Sequence, residues 1–342
     1  MKSALPLDYV DYLMYMNKVV SFGNGEWQFS RMVGNFHNEQ EQVGKRGSII
    51  MPVLFRKYNP SPLFGEDYYA LRNFLIKLDN HNYHFGRWDW MITGGWLDVS
   101  GLPKIGFWED NGKLVAVATY DSSLGKAFIL AEVGYDNLKQ EMLLYAKDAL
   151  TKEGKFQVLI LDGDMQFQDI AARNGFKPTQ EKECDAIYPI ETDKIAYTLP
   201  EGFSITSMGK TFNLYKYGQV LWKGFNHELN GEGTFSPDDE RNGIAGFDRP
   251  NVNLDLKIAV VAPTGDFVSY CGMWQDDASQ SVLVEPVATD PAYRKMGLGR
   301  AAVLEAVRRC GKLGAKRAFV GSDQQFYYSI GFRPYATSTF WE

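Results

Sequence analysis

The chain has 342 residues, of which 45% are hydrophobic and 23% charged, and its formal net charge is −6. This composition is ordinary for a soluble globular protein, the length suggests two domains, and the acidic balance argues against a nucleic-acid partner. Three scattered cysteines without a CxxC pair and four histidines without metal-ligand spacing predict neither a disulfide framework nor a metal site. The N-terminus has no secretory signal pattern, and no run of about eighteen apolar residues occurs, so we expect a cytoplasmic protein without a membrane partner.

The first 48 residues are aromatic and polar without a clear period, and we expect them to form an extension packed on the first domain. Within them, the apolar spacing is compatible with a helix over residues 7–20 and a strand over residues 27–37. The pattern assigns this segment no role.

Regular elements are predicted from residue 49 onward. A strand is expected over residues 49–56, followed by an amphipathic helix over 66–78 whose inward positions are Tyr69, Phe74 and Leu78. The aromatic segment 81–98 predicts a helix and turn packed on a sheet, with a ligand pocket at Trp88 or Trp90 as the alternative. Further apolar runs predict strands over 112–120, 127–134 and 156–161 and helices over 137–150 and 167–173.

A polar segment, residues 189–203, is broken by Pro200 and Gly202 and predicts a junction between two domains. After it, a new domain begins at Ser204 and a helix is expected over 213–225. The glycine-rich segment 228–251 predicts a long loop that frames an acceptor site. A hairpin is then expected from strands over 254–262 and 267–274.

The two parts of the chain repeat one pattern. GKLVAVATY, from Gly112, aligns with GDFVSYCGMW, and AFILAEVGYD, from Ala127, aligns with SVLVEPVATD. NGFKP, which contains Gly175, aligns with IGFRP, which contains Gly331. A single long repeat predicts two copies of one domain rather than a solenoid, with boundaries at 49–190 and 200–342.

The stretch from residue 281 to 334 carries the strongest functional pattern. A buried strand over 281–289 ends at an Asp-Pro turn, and the loop that follows opens directly into a helix. A short strand over 317–320 and a short aromatic helix then lead to Gly331-Phe332. Only ten residues follow Phe332, so how the sheet of this domain is completed stays open.

The loop before this helix is suited to bind an anion. The first N–H groups of a helix have no internal partner and lie at its positive end, and glycines at 297 and 299 let an anion approach them. Between residues 291 and 317 there are eight basic residues and one acid, Glu305, although the whole chain is acidic. The expected ligand is a compact polyanion such as a pyrophosphate, held by the backbone N–H groups from Lys295 to Arg300.

R-x-x-G-x-G after a strand, followed by a helix, a strand and Y-x-x-x-G-F, resembles the acetyl-CoA site of the GNAT N-acetyltransferase superfamily. Arg294, Gly297 and Gly299 match the family's pyrophosphate loop, and Tyr327 matches its later tyrosine. The resemblance implies an α+β fold, a mixed and mostly antiparallel sheet flanked by helices, in two tandem GNAT-like domains. It also implies acetyl-CoA as cosubstrate, without a metal. The cofactor-binding residues it indicates are Val287, Ala288, Thr289, Arg294, Lys295, Met296, Gly297, Leu298, Gly299, Arg300 and Tyr327.

The resemblance also assigns chemistry. Tyr327 corresponds to the general acid that protonates the leaving thiolate, with Tyr328 as the competing residue. Strand alternation puts Glu285 on the same face as residues 287 and 289, which makes it the candidate base, while water or His227 are the alternatives. Pro286 has no N–H and therefore predicts a bulge or splay that frees strand backbone for the cofactor. Candidate acceptor-pocket residues are Trp222, Phe225, His227 and Trp274, with Tyr270.

The first copy lacks this machinery. Its segment from Asp136 to Gly154 is six residues shorter than the segment from Asp290 to Gly314, and it has no loop glycines. Ala171 stands where the second copy has Tyr327. We therefore predict a degenerate N-terminal copy that supports the structure or shapes the substrate site.

The predicted function is transfer of acetyl from acetyl-CoA to a primary amine, on a small molecule or a peptide, by a monomer or a homodimer. The alternative is a non-catalytic acetyl-CoA- or CoA-binding regulatory protein. Tandem GNAT-like aminoacyl transferases share the architecture but typically lack the glycine loop. A Rossmann dinucleotide site is disfavoured because Ala302 replaces its third glycine.

Overall fold

The structure, a computed structural model, describes residues 52–79, 81–236 and 246–342. The predicted extension over residues 1–48, with its helix and strand, lies outside the described residues, as does part of the predicted loop over 228–251. Residues 51–342 form one compact unit.

The N-terminal half alternates strands and helices. Its elements are β1 (Leu54–Lys57), α1 (Glu66–Leu78), α2 (Phe85–Thr93), β2 (Gly106–Asp110), β3 (Lys113–Tyr120), β4 (Lys126–Ala131), α3 (Lys139–Ala149), β5 (Gln157–Leu161), α4 (Met165–Arg173) and β6 (Pro178–Pro189). Most predicted elements lie within a few residues of these bounds, whereas β2 and β6 were not predicted. The strand predicted over 49–56 begins at Leu54, and residues 49–51 of that prediction lie outside the described residues.

The C-terminal half repeats the order. Its elements are β7 (Ser204–Ser207), α5 (Leu214–Gly224), β8 (Lys257–Val261), β9 (Phe267–Trp274), β10 (Ser281–Thr289), α6 (Leu298–Lys312), β11 (Arg317–Val320), α7 (Gln325–Ser329) and β12 (Arg333–Trp341). The predicted strands at 281–289 and 317–320 have these bounds in the structure.

Among the described residues, twelve strands form one sheet in the order β1-β2-β3-β4-β5-β12-β6-β11-β10-β9-β8-β7. The β4–β5 and β10–β11 pairs are parallel, and the other pairs are antiparallel. Counted from the two edges, β4 and β10 occupy the same position, which confirms the internal repeat. The fold is therefore the predicted α+β architecture, a mostly antiparallel sheet made of two repeated halves.

The halves exchange their last strands. The final strand β12 pairs with β5 of the N-terminal half, while β6 pairs with β11 of the C-terminal half. The side chains of Phe340 and Trp341 join the N-terminal core, and Ala186 joins the C-terminal core. This exchange shows how the ten residues after Phe332 complete a sheet: they complete the sheet of the other half.

Helices cover both faces of the C-terminal sheet. Helix α6 packs its apolar side chains on β8, β9 and β10 from one face, and α5 covers the opposite face. Helix α2 of the N-terminal half also packs on β9 and β10.

The bounds of α1 agree with the prediction, but its predicted buried face is partly wrong. Phe74 is buried, whereas Tyr69 is 39% exposed. Tyr68, Leu71 and Leu75 are buried instead, because the face toward α2 is set by the Tyr68 hydroxyl, which donates to Asp89 at 2.6 Å.

Candidate active site

Strand β10 separates from one of its neighbours along its length. It pairs with β11 only from Ser281 to Leu283. On its other side, the register with β9 is irregular between Val284 and Val287, around Pro286. The bulge or splay predicted from this proline is confirmed as an irregular register on the β9 side. On the β11 side, residues 284–289 have no strand partner among the described residues.

The tip of α6 faces this opening with free backbone donors. Gly297 begins the helix in the left-handed region, with φ of 82°, and no side chain caps it. Within the described chain, none of the N–H groups from Lys295 to Arg300 donates a hydrogen bond, and the first internal bond is from Ala301 to the Gly297 carbonyl at 3.0 Å. A helix end with unpaired donors and no side-chain cap is a ready anion site.

A cavity of about 770 Å³ connects the opened strand with the helix tip. Most of the predicted cofactor residues line it: Val287, Ala288, Thr289, Arg294, Lys295, Gly297, Leu298, Gly299, Arg300 and Tyr327. Met296 is the exception, and its side chain is exposed. A Cβ atom at Gly299 would lie 3.0 Å from Thr289 Oγ1, so this glycine lets the helix approach the strand closely.

Tertiary structure redistributes the basic cluster predicted from the sequence. Arg308 and Arg309 both pair with Glu305, and Arg317 pairs with Asp79. These three cations are paired with carboxylates outside the cavity wall. The cations of the same segment that line the cavity are Arg294, Lys295 and Arg300.

Arg294 is itself a structural link as well as a wall residue. Its guanidinium donates to the Gly224 carbonyl at 2.8 Å and to Asn226 Oδ1 at 2.7 Å, at the end of α5. It also donates to the Thr289 carbonyl at 3.2 Å. Arg294 thus holds the loop, the end of β10 and α5 together around the cavity.

A second cavity, of about 340 Å³, lies between the two halves. Its wall combines segments 81–87, Asp121 and 182–185 with Glu285 and the loop 321–324. Gln324 lines both cavities, so they are neighbours. The carboxylates of the second cavity outnumber its cations, Arg87 and Lys182; they are Asp121, Glu183, Asp185, Glu285 and Asp323.

Glu285 lies in the wall of this acidic cavity. Arg87 from α2 donates to its Oε1, and within the described residues Oε2 has no hydrogen-bond partner. Val287 and Thr289 line the other cavity, because the irregular register around Pro286 interrupts the simple alternation of β10. The predicted base thus lines the acidic cavity and not the larger one.

Burial raises the pKa of Glu285 to about 7, although Arg87 acts in the opposite direction. Glu183 lines the same cavity, where burial and then the negative charge of Asp121 raise its pKa to about 7. Burial, followed by the charges of Arg317 and His81, lowers the pKa of His84 to about 3. At neutral pH His84 is therefore uncharged, and Glu285 is close to its midpoint.

The two candidate tyrosines lie in different places. Tyr327 is buried in the wall of the larger cavity, and burial, followed by the charges of Cys271 and Glu285, raises its pKa. Tyr328 lines a separate cavity beside Tyr335 and Cys184. Of the two, only Tyr327 has access to the larger cavity from the position that the sequence assigned to the acid.

The predicted acceptor residues are dispersed. Phe225 lines the larger cavity, whereas Trp222 is buried, donates to the Gly233 carbonyl at 3.0 Å and stacks on His227. His227 Nδ1 forms a hydrogen bond with Glu232 Oε1 at 3.0 Å. Trp274 is buried, and its Nε1 donates to the Glu285 carbonyl at 2.9 Å. None of the four lines the acidic cavity.

Sequence reasoning missed the residues that the N-terminal half contributes. Arg87, Asp121 and Glu183 converge on Glu285 from α2, the end of β3 and β6. Arg87 and Glu285 are 198 residues apart in the chain, and no local motif links them. The repeat indicated two copies of a fold but not their relative placement.

Comparison with known proteins agrees with this geometry. Residues 224–332 match the sequence model of the acetyltransferase (GNAT) family. The structure resembles a tandem GNAT protein from the clavulanic acid biosynthesis pathway, at 12% identity and a TM-score of 0.55, over 85% of this chain and 98% of that one. It also resembles a GCN5-related N-acetyltransferase from Sphaerobacter thermophilus, at 13% identity and a TM-score of 0.51, over 84% of this chain and 94% of that one. A search of curated protein sequences found no match.

Residues 224–332 thus match the GNAT family, and the chain has the fold of a tandem GNAT protein. At such low identities, the structural likeness establishes the fold alone. The family supports acetyl transfer in general as the reaction class.

Two searches of the described residues were negative. No helix in them is both long and apolar enough to cross a bilayer. No group of three or more His, Cys, Asp or Glu side chains in the same residues is arranged to hold a metal ion.

Proposed function

We propose that the protein is an N-acetyltransferase that moves acetyl from acetyl-CoA to a primary amine, with its active site in the C-terminal half. The observation that carries this proposal is the contact between two cavities: one has an uncapped, glycine-lined helix tip, and the other is rich in carboxylates. The first suits a diphosphate and the second an ammonium group.

The chain fits acetyl-CoA at the larger cavity. The free N–H groups between Lys295 and Arg300 match the acceptor oxygens of a diphosphate, and the wall cations add positive charge. The unpaired edge of β10 offers backbone groups to the amides of a pantetheine arm. In this proposal an N–H at Val287 or Thr289, beyond the last β11 pair at Leu283, faces the thioester carbonyl. Bound there, acetyl-CoA supplies an acetyl group activated as a thioester.

The acceptor enters through the acidic cavity in this proposal. A primary amine arrives as an ammonium ion, and Glu285 Oε2 accepts one of its protons. The neutral nitrogen then forms the amide bond while the C–S bond breaks, and Tyr327 gives its hydroxyl proton to the departing sulfur. The attacking nitrogen loses its second proton as the amide forms, and this proton reaches the Tyr327 phenolate through water, while the proton on Glu285 passes to solvent. The reaction therefore yields an amide, free CoA and one proton.

The protonation states suit these roles. A base must be ionised to act, and a carboxyl whose pKa is about 7 is ionised as the pH rises through neutrality. An acid must keep its proton until the transition state, and the raised pKa of the buried Tyr327 ensures that it does. Glu285 is therefore suited to accept a proton and Tyr327 to donate one.

An acceptor panel tests the proposal. Purified protein is mixed with acetyl-CoA and, in turn, a small aliphatic amine, an aminoglycoside, a peptide with a free N-terminus and a peptide with one lysine, and free CoA thiol is titrated. We expect thiol release with at least one amine. Acetyl-CoA binding by calorimetry without release for any amine would instead support the regulatory alternative.

The pH dependence tests the assigned base. Because kcat/KM reports the free enzyme, its value should rise as the pH increases through about 7, where Glu285 loses its proton. Glu285→Gln should lower kcat by about 10²-fold and abolish this rise. The same amine is used for both proteins, so the ionisation of the acceptor affects both profiles equally. A Gln variant with the parent's profile would rule out Glu285 as the base.

A further inference from the structure

Arg87 of the N-terminal half connects two carboxylates across the acidic cavity. Its Nε and Nη2 donate to the two oxygens of Asp121 at 2.7 and 2.6 Å, and its Nη1 donates to Glu285 Oε1. All three guanidinium nitrogens are therefore engaged by protein carboxylates. An arginine in this state orients its partners and has little capacity left to bind an acceptor directly.

Helix α2, which carries Arg87, is fixed directly on β10, which carries Glu285. The helix begins at His84, whose Nδ1 accepts from the Gly86 N–H at 3.0 Å and whose Nε2 lies 3.0 Å from Ser281 Oγ at the start of β10. A Cβ atom at Gly86 would lie 2.6 Å from Trp274 Cβ and 2.9 Å from Leu283 Cβ. The first turn of α2 thus packs against the sheet without room for a methyl group.

A second set of contacts holds the same region of the N-terminal half on the C-terminal half. Arg72 of α1 donates to Asp89 of α2 and also to Asp276 just after β9, at 2.6 Å. Asp79 accepts from Ser281 Oγ at 2.6 Å and pairs with Arg317. Arg87 is therefore presented by a rigidly docked block of helices, and the distance from its guanidinium to Glu285 is set by packing.

We propose that the Arg87–Asp121 pair of the degenerate N-terminal half positions the Glu285 base: Asp121 fixes the guanidinium, which holds Oε1 and leaves Oε2 directed at the acceptor. This inference rests on the proposed function, since it presumes that Glu285 removes the ammonium proton. It makes the N-terminal half part of the reaction machinery, although that half lacks the glycine loop and the tyrosine.

The charges around Glu285 predict opposite shifts of its pKa when Arg87 and Asp121 are substituted. Arg87 faces it from α2, Asp121 from the end of β3, Glu183 from β6 and Tyr327 from α7. Removing the cation should raise the pKa of Glu285, whereas neutralising Asp121 should lower it. The other titratable groups that line the same cavity are His81, Tyr83, His84, Lys182, Cys184, Asp185 and Asp323.

The test is the pH profile of kcat/KM for Arg87→Ala, Arg87→Lys and Asp121→Asn in the full chain, with an amine that the panel identifies. Arg87→Ala should lower kcat by about 10²-fold. It should also move the acidic limb of the profile upward by about one pH unit. Asp121→Asn, which is isosteric, should move the limb downward. Arg87→Lys should restore the limb toward the parent position but not the full kcat, because an ammonium cannot bridge both partners as a fork.

Arg56→Ala is the matched control. Arg56 also bridges two carboxylates within the N-terminal half, Asp67 at 2.6 Å and Glu109 at 2.7 Å, and neither lines the two cavities described above. It should leave the acidic limb in place even if it lowers the melting temperature. Acetyl-CoA affinity, measured for every variant, should stay within about twofold of the parent because the tip of α6 is untouched.

The outcomes separate the two proposals. If the parent releases no thiol with any amine, the proposed function fails. If the parent is active and neither Asp121→Asn nor Arg87→Ala moves the limb, the positioning role is wrong while the acetyltransferase stands. The same conclusion follows if Arg56→Ala moves the limb as much as Arg87→Ala does. Asp121→Asn alone decides the matter if Arg87→Ala does not fold.

Discussion

The tips of α3 and α6 occupy equivalent positions in the two halves but have opposite surroundings. In the C-terminal half, α6 begins at glycines with free N–H groups that face a cavity of about 770 Å³. In the N-terminal half, α3 begins at Lys139, whose Nζ pairs with Asp136 at 2.8 Å and Asp164 at 2.6 Å. The two carboxylates outweigh the single cation, and their net negative charge disfavours a diphosphate. Of the two helix tips, the tip of α6 is therefore the one with surroundings suited to an anion.

The neighbouring strands differ as well. Strand β4 runs beside β3 in an unbroken register, whereas β10 is irregular beside β9 around Pro286. Both β4 and β10 pair with the next strand over only three residues, so this separation belongs to the fold itself. The fold thus supplies the opening in both halves, and the residues around the helix tip distinguish the proposed cofactor site from its counterpart.

The largest effect is expected from Gly297→Glu, which should convert the open helix tip into a blocked one. The new carboxylate would lie beside the free N–H groups at the tip of α6 and repel the diphosphate. A side chain at φ of 82° would also strain the backbone that presents these groups. We expect the Kd for acetyl-CoA to rise by at least about 10²-fold in calorimetry. Gly314→Glu is the control, because Gly314 also has a positive φ, of 105°, and open space, but lies beyond the other end of α6. If the control weakens binding equally, the helix tip is not the site.

A smaller effect is expected from Tyr327→Phe, which gives the C-terminal half an acid-free position like that of Ala171 in the N-terminal half. Loss of the hydroxyl should lower kcat by about 10²-fold, while acetyl-CoA affinity stays nearly unchanged because the ring remains. Single-turnover rates and calorimetry separate the two quantities. Tyr328→Phe should keep the parent's rate, since Tyr328 lines a different cavity. An unaltered rate in the Tyr327 variant would remove its assignment as the acid.

The smallest effect is expected from Lys139→Ala in the N-terminal half. The substitution breaks two ion pairs of a mostly buried side chain and should lower the free energy of unfolding by about 1 kcal/mol, measured by urea denaturation. It should not change acetyl-CoA affinity or turnover, because the degenerate tip still has Asp136 and Asp164 beside it. A changed cofactor stoichiometry would show that the N-terminal half retains a latent site.

The exchange of β6 and β12 explains why the halves cannot be treated as independent modules. Each half buries apolar side chains of a strand that arrives from the other, Ala186 in one direction and Phe340 in the other. The exchanged β6 also carries Glu183 and Asp185 into the acidic cavity. The N-terminal half therefore contributes both to the packing of the C-terminal half and to the wall of the proposed acceptor cavity.

Local patterns were sufficient for much of the cofactor site. Gly297, Gly299 and Tyr327 lie within one continuous segment, so their order and spacing predicted a helix tip, a cradle and a facing tyrosine without knowledge of distant contacts. Pro286 predicted its own irregularity, because the missing N–H acts where the residue stands. No local pattern predicts which aromatic residues line an acceptor pocket. Of the aromatic residues proposed for it, Trp222 and Trp274 are buried and donate to backbone carbonyls.

The sequence by itself determined the repeat, the copy that carries the glycine loop and the tyrosine, and the helix tip predicted to bind an anion, because each depends on neighbours along the chain and on backbone chemistry that is local. Only the tertiary structure decided which cations of the basic segment remain beside the loop, how the last strands cross between the halves and which carboxylates surround Glu285. These outcomes depend on contacts such as Arg87 with Glu285 and Asp79 with Arg317, whose members are far apart in the chain and meet only when two cores pack against each other.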